Sequence, residues 1–483
     1  MSFSSYSFLL LFLPITVFLW WMLNWRGSGK CAQCVLLAAS LVFYGWSRWE
    51  GLLLLLGSIL FHFILGTWLA RARRRRKAIL ALGVVGSLLP LLYFKYTNFF
   101  LDNVNALAHT SLSVQTILLP LGISFFTFQQ LGFLVDVYRE ERMEYTLLEY
   151  ACFVSLFPCV VSGPIAFHNE VIPQLRAAVG QKLSGESLSQ GIWLFTQGLW
   201  KKVVVAQAFG KGADWGFASI PVLNSTTALL VVLSYTFQLY FDFSAYTDMA
   251  RGVGRMLGID LPDNFNAPYQ ALTIGAFWKR WHMTMTRFFT RYLYFPLGGN
   301  RGGLVRTCRN IMIVFLVSGL WHGANWTFVL WGFLHGCAMV LDRLVGKRFS
   351  GLHPALSWGL TFAFVSFCWI FFRAPTVADG WAMVTAVGRC EFGSILSAFT
   401  SCFHLPMEAW LGRFLGLDME RLALLMLLLF FGGAFLFVFL ERAGEKKETG
   451  REFGARAGLL SAVLLFWSLI SLSGVTQFLY SNF

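Results

Sequence analysis

Residues 310–341 read NIMIVFLVSGLWHGANWTFVLWGFLHGCAMVL. These 32 residues contain no Asp, Glu, Lys or Arg, and Arg309 and Asp342 bound them on either side. A helix needs about 20 consecutive apolar residues to cross the hydrocarbon core of a bilayer. The stretch therefore predicts a membrane-embedded segment, and the polar residues inside it are candidates for function because such residues are costly at that depth.

The composition of the whole chain supports the same class of protein. Of its 483 residues, 57% are hydrophobic and only 13% are charged, whereas soluble domains have about 45–50% apolar and about 25% charged residues. The 50 Phe and 19 Trp residues suit lipid-facing walls and interfacial belts. We therefore predict an all-α polytopic integral membrane protein, and we exclude disordered, collagen-like and small disulfide-stapled classes.

Apolar segments recur along the chain and predict about ten to twelve transmembrane helices. Gly, Pro or polar residues interrupt several of them, so some are expected to be re-entrant or interfacial. The segments are 6–24, 31–46, 51–70, 78–94, 117–137, 146–165, 191–209, 227–241, 311–339, 356–372, 422–440 and 458–472. We expect one membrane domain over residues 1–483, with a motif-bearing core at about 117–342 and flanking spans at 1–116 and 343–483.

Basic residues predict the orientation in the membrane. The net charge of +14 lies in short loops, most densely at residues 71–77, RARRRRK, which we call the basic block. The positive-inside rule places this block in the cytoplasm, and Arg26 and Lys30 place the N-terminus outside. The block is alternatively a dock for an acidic donor such as coenzyme A or for anionic lipid headgroups. Residues 442–456 are predicted to form another cytoplasmic loop, and no nucleic-acid partner is expected.

His322 is the leading candidate for catalysis. On a continuous helix Ser318, His322 and Asn325 would share one polar face, and Trp321 would help to wall off a cavity. A neutral imidazole in an apolar pocket keeps a lone pair available and suits a general base. The alternative is a structural histidine that is hydrogen-bonded to a neighbouring helix.

Two further sites follow less directly from the residues. His282 ends the cluster FWKRWH at 277–282, which an interfacial anchor would also explain. Asp248 and Arg251 are spaced for a local ion pair, whereas Asp242 has no such partner and could line a polar passage. Cys31 and Cys34 form one C-x-x-C without a second pair, so no metal site is predicted. No bound cofactor is expected.

Three motifs together strongly resemble the membrane-bound O-acyltransferase family. They are FWKRWH at 277–282, YLYFPLGGNR at 292–301 and WHGANW at 321–326. The segments 120–129, 162–165, 242–250 and 261–269 fit the bacterial branch of the family that acts in alginate O-acetylation. One departure is Thr290-Arg291, where this branch leads us to expect Arg-Asp, and it would alter a loop salt bridge or a partner contact.

The resemblance implies a ring of transmembrane helices around a central funnel, where a cytoplasmic donor meets an external acceptor. It implies His322 as the catalytic base and His282 as the second active-site position. Residues expected to line the funnel are Asn325, Ser318, Trp321, Asp242, Asn266 and Tyr269.

The same resemblance implies a reaction and a set of partners. Acetyl-CoA would be the donor substrate, and a separate extracytoplasmic esterase-like acetyltransferase would esterify alginate or a similar polysaccharide at a bacterial inner membrane. Two alternatives stay open. One is D-alanyl transfer from a phosphopantetheine carrier protein to teichoic acid, which the basic block would suit. The other is a glycan export subunit without covalent chemistry.

Overall fold

The computed structural model describes residues 1–46, 49–114, 116–140, 143–349, 351–403, 408–441 and 454–472. Within these ranges all regular secondary structure is helical. Eight of the described helices are long and apolar enough to span a membrane, and two shorter apolar helices, Gly29–Gly45 and Ala455–Ile470, accompany them. The all-α polytopic fold is therefore confirmed. The loop predicted at 442–456 lies largely outside the described residues.

The helices are numbered in chain order. They are α1 Leu13–Trp25, α2 Gly29–Gly45, α3 Glu50–Arg71, α4 Arg76–Ala108, α5 Ile123–Glu140, α6 Leu147–Ser155, α7 His168–Ala177, α8 Gly185–Trp200, α9 Gln207–Ala218, α10 Ser225–Met256, α11 Ile274–Trp278, α12 Met283–Phe289, α13 Gly303–His322, α14 Trp326–Phe349, α15 Pro354–Arg373, α16 Val377–Gly388, α17 Ser397–Thr400, α18 Glu408–Leu415, α19 Met419–Leu440 and α20 Ala455–Ile470. Short π-helical segments precede α1 (Phe8–Phe12), join α8 to α9 (Lys201–Ala206) and continue α12 (Thr290–Tyr294).

Helix α10 is the central element of the fold. Within its most apolar window 83% of the residues are buried, against 22–44% in the other candidate spans. The half from Ala228 to Phe243 packs mostly with C-terminal helices, and the half from Tyr246 to Met256 packs with N-terminal helices. A Cβ added to Gly198 of α8 would lie 2.6 Å from a backbone oxygen of α10, so a small residue is needed for this close packing.

The uncharged stretch at 311–339 forms two helices rather than the single segment that we predicted. Helix α13 ends at His322, Gly323 is extended, and the Asn325 side chain accepts a hydrogen bond from the N–H of Thr327 in the first turn of α14. The two helices then run antiparallel with their backbones close together. A Cβ added to Gly319 would lie 2.4 Å from the carbonyl oxygen of Phe328. Because both arms are equally apolar, no charge marks the break in the sequence.

Helix α4 is longer than the predicted segment 78–94. It runs from Arg76 to Ala108 and therefore carries Lys95 and Tyr96 inside a candidate membrane span. The prediction ended at residue 94 because the charge of Lys95 closes the apolar run.

Candidate active site

His322 lies at the C-terminal end of α13, inside a cage of aromatic side chains. Its ring centre is 4.9 Å from that of Trp321, 5.1 Å from that of Trp331 and 5.2 Å from that of Phe372. Only 3% of the residue is exposed. The cage therefore keeps bulk water away from the imidazole.

His282 occupies the position directly before α12, with a left-handed backbone at φ +44°. That conformation is uncommon for a residue with a side chain, and it persists where neighbouring contacts determine it. Here Asn264 supplies them. Its carbonyl accepts from Met283 N at 3.0 Å, and its side-chain Oδ1 accepts from Thr284 Oγ1 at 2.6 Å.

The same Asn264 oxygen fixes the proton on His282. Oδ1 lies 3.3 Å from His282 Nδ1, and because Oδ1 is an acceptor, Nδ1 carries the proton and Nε2 carries the lone pair. Burial lowers the pKa of His282 from 6.5 to about 3. The imidazole is therefore neutral at physiological pH.

The structure brings His282 and His322 together around Trp321. The Trp321 ring centre is 6.2 Å from that of His282 and 4.9 Å from that of His322. The two imidazoles are close enough to interact electrostatically. Two histidines separated by 40 positions in the sequence thus share one buried site.

Ser318 and Asn325 differ in how they relate to this site. Ser318 lies one turn before His322, is buried, and points its hydroxyl at Met285 Sδ of α12 at 4.0 Å. The prediction that Asn325 shares a helix face with His322 is wrong, because α13 ends before it. Asn325 instead donates to the carbonyl of Pro375 at 2.8 Å and caps α14.

The acidic residues of α10 form buried ion pairs with the π-helical segment that follows α8. Asp242 lies 2.6 Å from Lys202 Nζ, and Asp248 lies 2.5 Å from Lys201 Nζ. Asp242 therefore has a long-range partner in Lys202, which the absence of a local partner did not reveal. The predicted local pair between Asp248 and Arg251 is also wrong.

Arg251 forms an ion pair with Asp263, and Tyr269 and Asn266 contact residues just before His282. Tyr269 is buried, donates its hydroxyl to Thr236 O at 2.7 Å and packs against Trp281 at 5.8 Å between ring centres. Asn266 donates its backbone N–H to Arg280 O at 3.0 Å. Tyr269 and Asn266 therefore support the segment that carries His282.

An open cavity of about 400 Å³ lies along the helical segment that follows His282. It is lined by Trp278, Lys279, Met283, Thr286, Arg287, Thr290, Arg291 and Phe295. Met283 follows His282 directly, and Thr286 donates its N–H to the His282 carbonyl at 3.0 Å. The cavity thus combines three cationic side chains with an apolar wall at the edge of the histidine site.

Two of the cations in this cavity are held in place by carboxylates. Arg287 binds Glu170, with one contact at 2.9 Å, and Arg291 lies 2.9 Å from Asp136, which also accepts the Tyr292 hydroxyl at 2.7 Å. Arg291 belongs to the pair Thr290-Arg291, which departs from the Arg-Asp expected in the alginate branch. In this protein it forms a salt bridge with Asp136.

The contacts of Arg291 show where the cavity lies with respect to the basic block. Its carbonyl accepts from Arg139 at 3.4 Å, and Arg139 follows Tyr138, whose carbonyl accepts from Arg76 at 2.6 Å. The cavity therefore lies on the same side of the protein as the basic block. In the part of the chain that the structure describes, no group of three or more His, Cys, Asp or Glu side chains could hold a metal ion.

Comparison with known proteins identifies the family. The family model of MBOAT, the membrane-bound O-acyltransferase family, matches residues 43–374. The chain belongs to this family. It is a multi-pass membrane O-acyltransferase, so the alternative of an export subunit without covalent chemistry is dropped. The match includes the motif-bearing core at 117–342, and the single domain over residues 1–483 stays a prediction.

Several named relatives are similar to this O-acyltransferase. The peptidoglycan O-acetyltransferase of Helicobacter pylori is 37% identical, in an alignment that covers 82% of this chain and 82% of that protein. The probable alginate O-acetylase AlgI of Pseudomonas aeruginosa is 40% identical, and the alignment covers 80% of this chain and 75% of that protein. The teichoic acid D-alanyltransferase of Bacillus subtilis is 27% identical, and the alignment covers 52% of this chain and 68% of that protein.

The site of this O-acyltransferase contains residues that sequence reasoning missed. Asn264 and Thr284 hold His282, and the adjacent Lys95 and Tyr96 contact the end of α13. His335 is fully buried, and its Nδ1 accepts from Trp278 Nε1 at 3.3 Å, which orients a wall of the cavity. Asn264 could have been found from the sequence because it lies in the segment 261–269, which resembles the family. Lys95 and His335 were recognisable only as polar residues inside apolar helices.

Proposed function

We propose that this O-acyltransferase takes acetyl groups from cytoplasmic acetyl-CoA and passes them across the membrane for O-acetylation of an extracytoplasmic polysaccharide, with His322 as general base. The observation that carries the proposal is that His282 and His322 meet at Trp321, and that the segment following His282 lines a largely apolar cavity to which Lys279, Arg287 and Arg291 contribute. The acetyl group is favoured because relatives named as O-acetylating enzymes align over about four fifths of the chain.

The cavity is suited to the donor. Arg287 and Arg291 are already paired with Glu170 and Asp136, so Lys279 is the lining residue that offers net positive charge for the phosphates of coenzyme A. Trp278 and Phe295 offer an apolar surface for its pantetheine arm. Since the cavity lies on the side of the basic block, the positive-inside rule puts the donor in the cytoplasm. The N-terminus is then extracytoplasmic, and the membrane is the bacterial inner membrane.

The reaction at His322 is acyl transfer from a thioester to a hydroxyl. His322 takes the proton of the acceptor hydroxyl, the hydroxyl oxygen bonds to the acetyl carbonyl carbon, the C–S bond breaks, and the thiolate leaves and takes up the proton. His282, held by Asn264, presents Nε2 toward the donor or the base and orients it. A positioned base contributes about 10²–10⁴-fold, and the aromatic cage limits hydrolysis of the thioester by excluding water.

An extracytoplasmic esterase-like acetyltransferase is the proposed partner that completes transfer to the polysaccharide, alginate or a similar polymer. The turn between α13 and α14 supports this arrangement. It lies at the opposite end of α13 from Gly303, about 30 Å away for a helix of 20 residues, and its Trp326 side chain is exposed.

D-alanyl transfer from a phosphopantetheine carrier protein to teichoic acid is the second candidate. The basic block would attract an acidic carrier protein, and proteins named teichoic acid D-alanyltransferase are 27–28% identical over about half of the chain. Both candidates use a thioester donor and the same histidines, so they differ in the acyl group and the donor.

Mild-base release of acyl groups from surface glycans, followed by mass spectrometry, distinguishes these possibilities. Cells with wild-type protein, His322→Ala and the exposed control His109→Ala are compared at equal membrane abundance. Loss of acetate in His322→Ala alone supports the proposal, and loss of alanine supports the second candidate. Unchanged esters in His322→Ala would rule out His322 as the base.

A further inference from the structure

Two adjacent residues of α4 contact the end of α13 that carries His322. Lys95 Nζ donates to Trp321 O at 2.5 Å and to His322 O at 3.3 Å, and Tyr96 donates its hydroxyl to Leu320 O at 2.6 Å. Three successive carbonyls at the end of α13 are therefore bound by α4. We call Lys95 and Tyr96 the α4 clamp.

The end of a helix explains why these contacts matter. The last four carbonyls of an α-helix have no partner within the helix, and a cation near them is favourable because it faces the negative end of the helix dipole. Helix α13 ends in the protein interior beside a buried histidine, so its carbonyls need donors from the protein. A lysine in a membrane-spanning helix is costly and therefore marks a functional position by default.

The geometry separates positioning from direct catalysis. An ammonium group has three N–H donors, and Lys95 Nζ has three oxygen acceptors in reach, namely Trp321 O, His322 O and, at 3.5 Å, Ser124 Oγ. Protein oxygens thus match the number of ammonium donors. These contacts favour a role of Lys95 through the protein rather than in substrate binding.

The contacts of Trp321 extend the effect of the clamp to both histidines. Lys95 Nζ lies 5.9 Å from the centre of the Trp321 ring, and this ring lies between His322 and His282. A shift of the Trp321 backbone would therefore change the spacing of the two imidazoles as well as the direction of His322.

We propose that Lys95, with Tyr96 beside it, is a positioning residue that fixes the end of α13 and so holds His322 in its reactive orientation. The inference rests on the proposed role of His322. Because the cationic cavity lies beside α12 and not at the clamp, the clamp governs the rate of transfer and not the affinity for the donor.

Acetyl transfer to endogenous glycan in membrane vesicles tests the clamp. With isotopically labelled acetyl-CoA as the probe, the maximal rate and the apparent KM are measured for Lys95→Met, Lys95→Arg, Tyr96→Phe and His322→Ala at equal abundance of the full chain. Misplacement of a reacting group can cost about 10²-fold, so Lys95→Met is expected to lower the maximal rate by about 10- to 100-fold and to leave the KM within about twofold. Lys95→Arg keeps a cation at the C-terminal end of α13 and should recover part of the rate.

Thr97→Ala is the matched control. Thr97 Oγ1 donates to Tyr93 O at 2.7 Å, so the variant removes a hydrogen bond that lies within α4 and does not touch the end of α13. It should retain nearly the wild-type rate.

The outcomes separate the clamp from the proposed function. If His322→Ala is inactive and Lys95→Met is fully active, the clamp alone is overturned. The clamp is also overturned if Lys95→Met changes only the KM, or if the maximal rate of Lys95→Arg is no higher than that of Lys95→Met. A fully active His322→Ala overturns the proposed function. If Lys95→Met does not accumulate, Tyr96→Phe decides: a loss of about 3- to 10-fold in maximal rate supports the clamp, and a wild-type rate contradicts it.

Discussion

The side-chain oxygen of Asn264 lies 3.3 Å from Nδ1 of His282 and thereby determines which ring nitrogen of this histidine carries the proton. Asn264 and His282 are 18 positions apart in the sequence, yet the asparagine also fixes the left-handed backbone at His282 through Met283 and Thr284. The second histidine of the site is thus oriented by a residue that does not line the cavity.

Replacing Asn264 should impair catalysis through His282. Asn264→Leu removes the acceptor that holds Nδ1–H, so the imidazole can rotate or change tautomer, and a loss of about 10-fold in the acetyl-transfer rate is expected from misplacement of the ring. Asn264→Asp keeps an oxygen acceptor and should retain more activity. The rates are measured in vesicles at equal abundance, and equal activity of Asn264→Leu and wild type would show that the contact has no catalytic role.

Lys279 should contribute to donor affinity. It is exposed at the cavity, and its side chain makes no hydrogen bond or ion pair among the described residues, so truncating it removes no internal polar contact of that side chain. Lys279→Ala is expected to raise the apparent KM for acetyl-CoA by about 3- to 10-fold with little change in the maximal rate, because about 1 kcal/mol of charge attraction corresponds to about fivefold in affinity. The exposed Lys30, replaced by Ala, is the control, and an unchanged KM in Lys279→Ala would place the donor phosphates elsewhere.

The close contact of α13 and α14 should depend on Gly319. A Cβ there would lie 2.4 Å from the Phe328 carbonyl oxygen, and backbone cannot move aside cheaply, so Gly319→Ala should destabilise the protein by about 1–3 kcal/mol. Gly359→Ala on α15 is the matched control, since nothing lies within 4 Å of its added Cβ. Thermal unfolding in detergent measures both, and equal melting temperatures would contradict the packing described for the hairpin.

Glu149 should stabilise the protein in a pH-dependent way. The Arg176 guanidinium, together with capping contacts to Thr146, lowers the pKa of this carboxyl from 4.5 to about 2. A carboxyl with a lowered pKa contributes stability above its unfolded value, and this stability is lost as the pH falls from about 4.5 toward 2.

Glu149→Gln tests this linkage. It should unfold more easily than wild type at pH 7, by about 1 kcal/mol for a partly solvated pair that also caps α6. The difference in melting temperature should shrink as the pH falls below 4.5. A difference that stays constant down to pH 3 would show that the ion pair is not its source.

Much of this architecture was predictable, because hydropathy reports membrane burial directly. The uncharged stretch around His322 identified a membrane-embedded histidine, and the apolar segments identified the all-α polytopic fold. The break at Gly323 was not predictable in the same way, since hydropathy is equally high on both sides of it.

The ion pairs of α10 were missed for a different reason. The i, i+3 rule for Asp248 and Arg251 describes a helix surface exposed to solvent, whereas α10 is enclosed on nearly all sides. Its acidic residues therefore pair with Lys201 and Lys202, which lie 40 or more positions earlier in the chain. Such partners depend on tertiary packing, which local spacing does not report.

The most direct test of the central claim supplies ¹³C-labelled acetyl-CoA to membrane vesicles on the side that exposes the basic block. Base-labile ¹³C-acetate in the glycan is then measured for wild type and for His322→Ala at equal abundance. We predict label in the glycan with wild type and none above background with His322→Ala. Equal labelling by the two proteins would contradict the role of His322 as the general base of this acyltransferase.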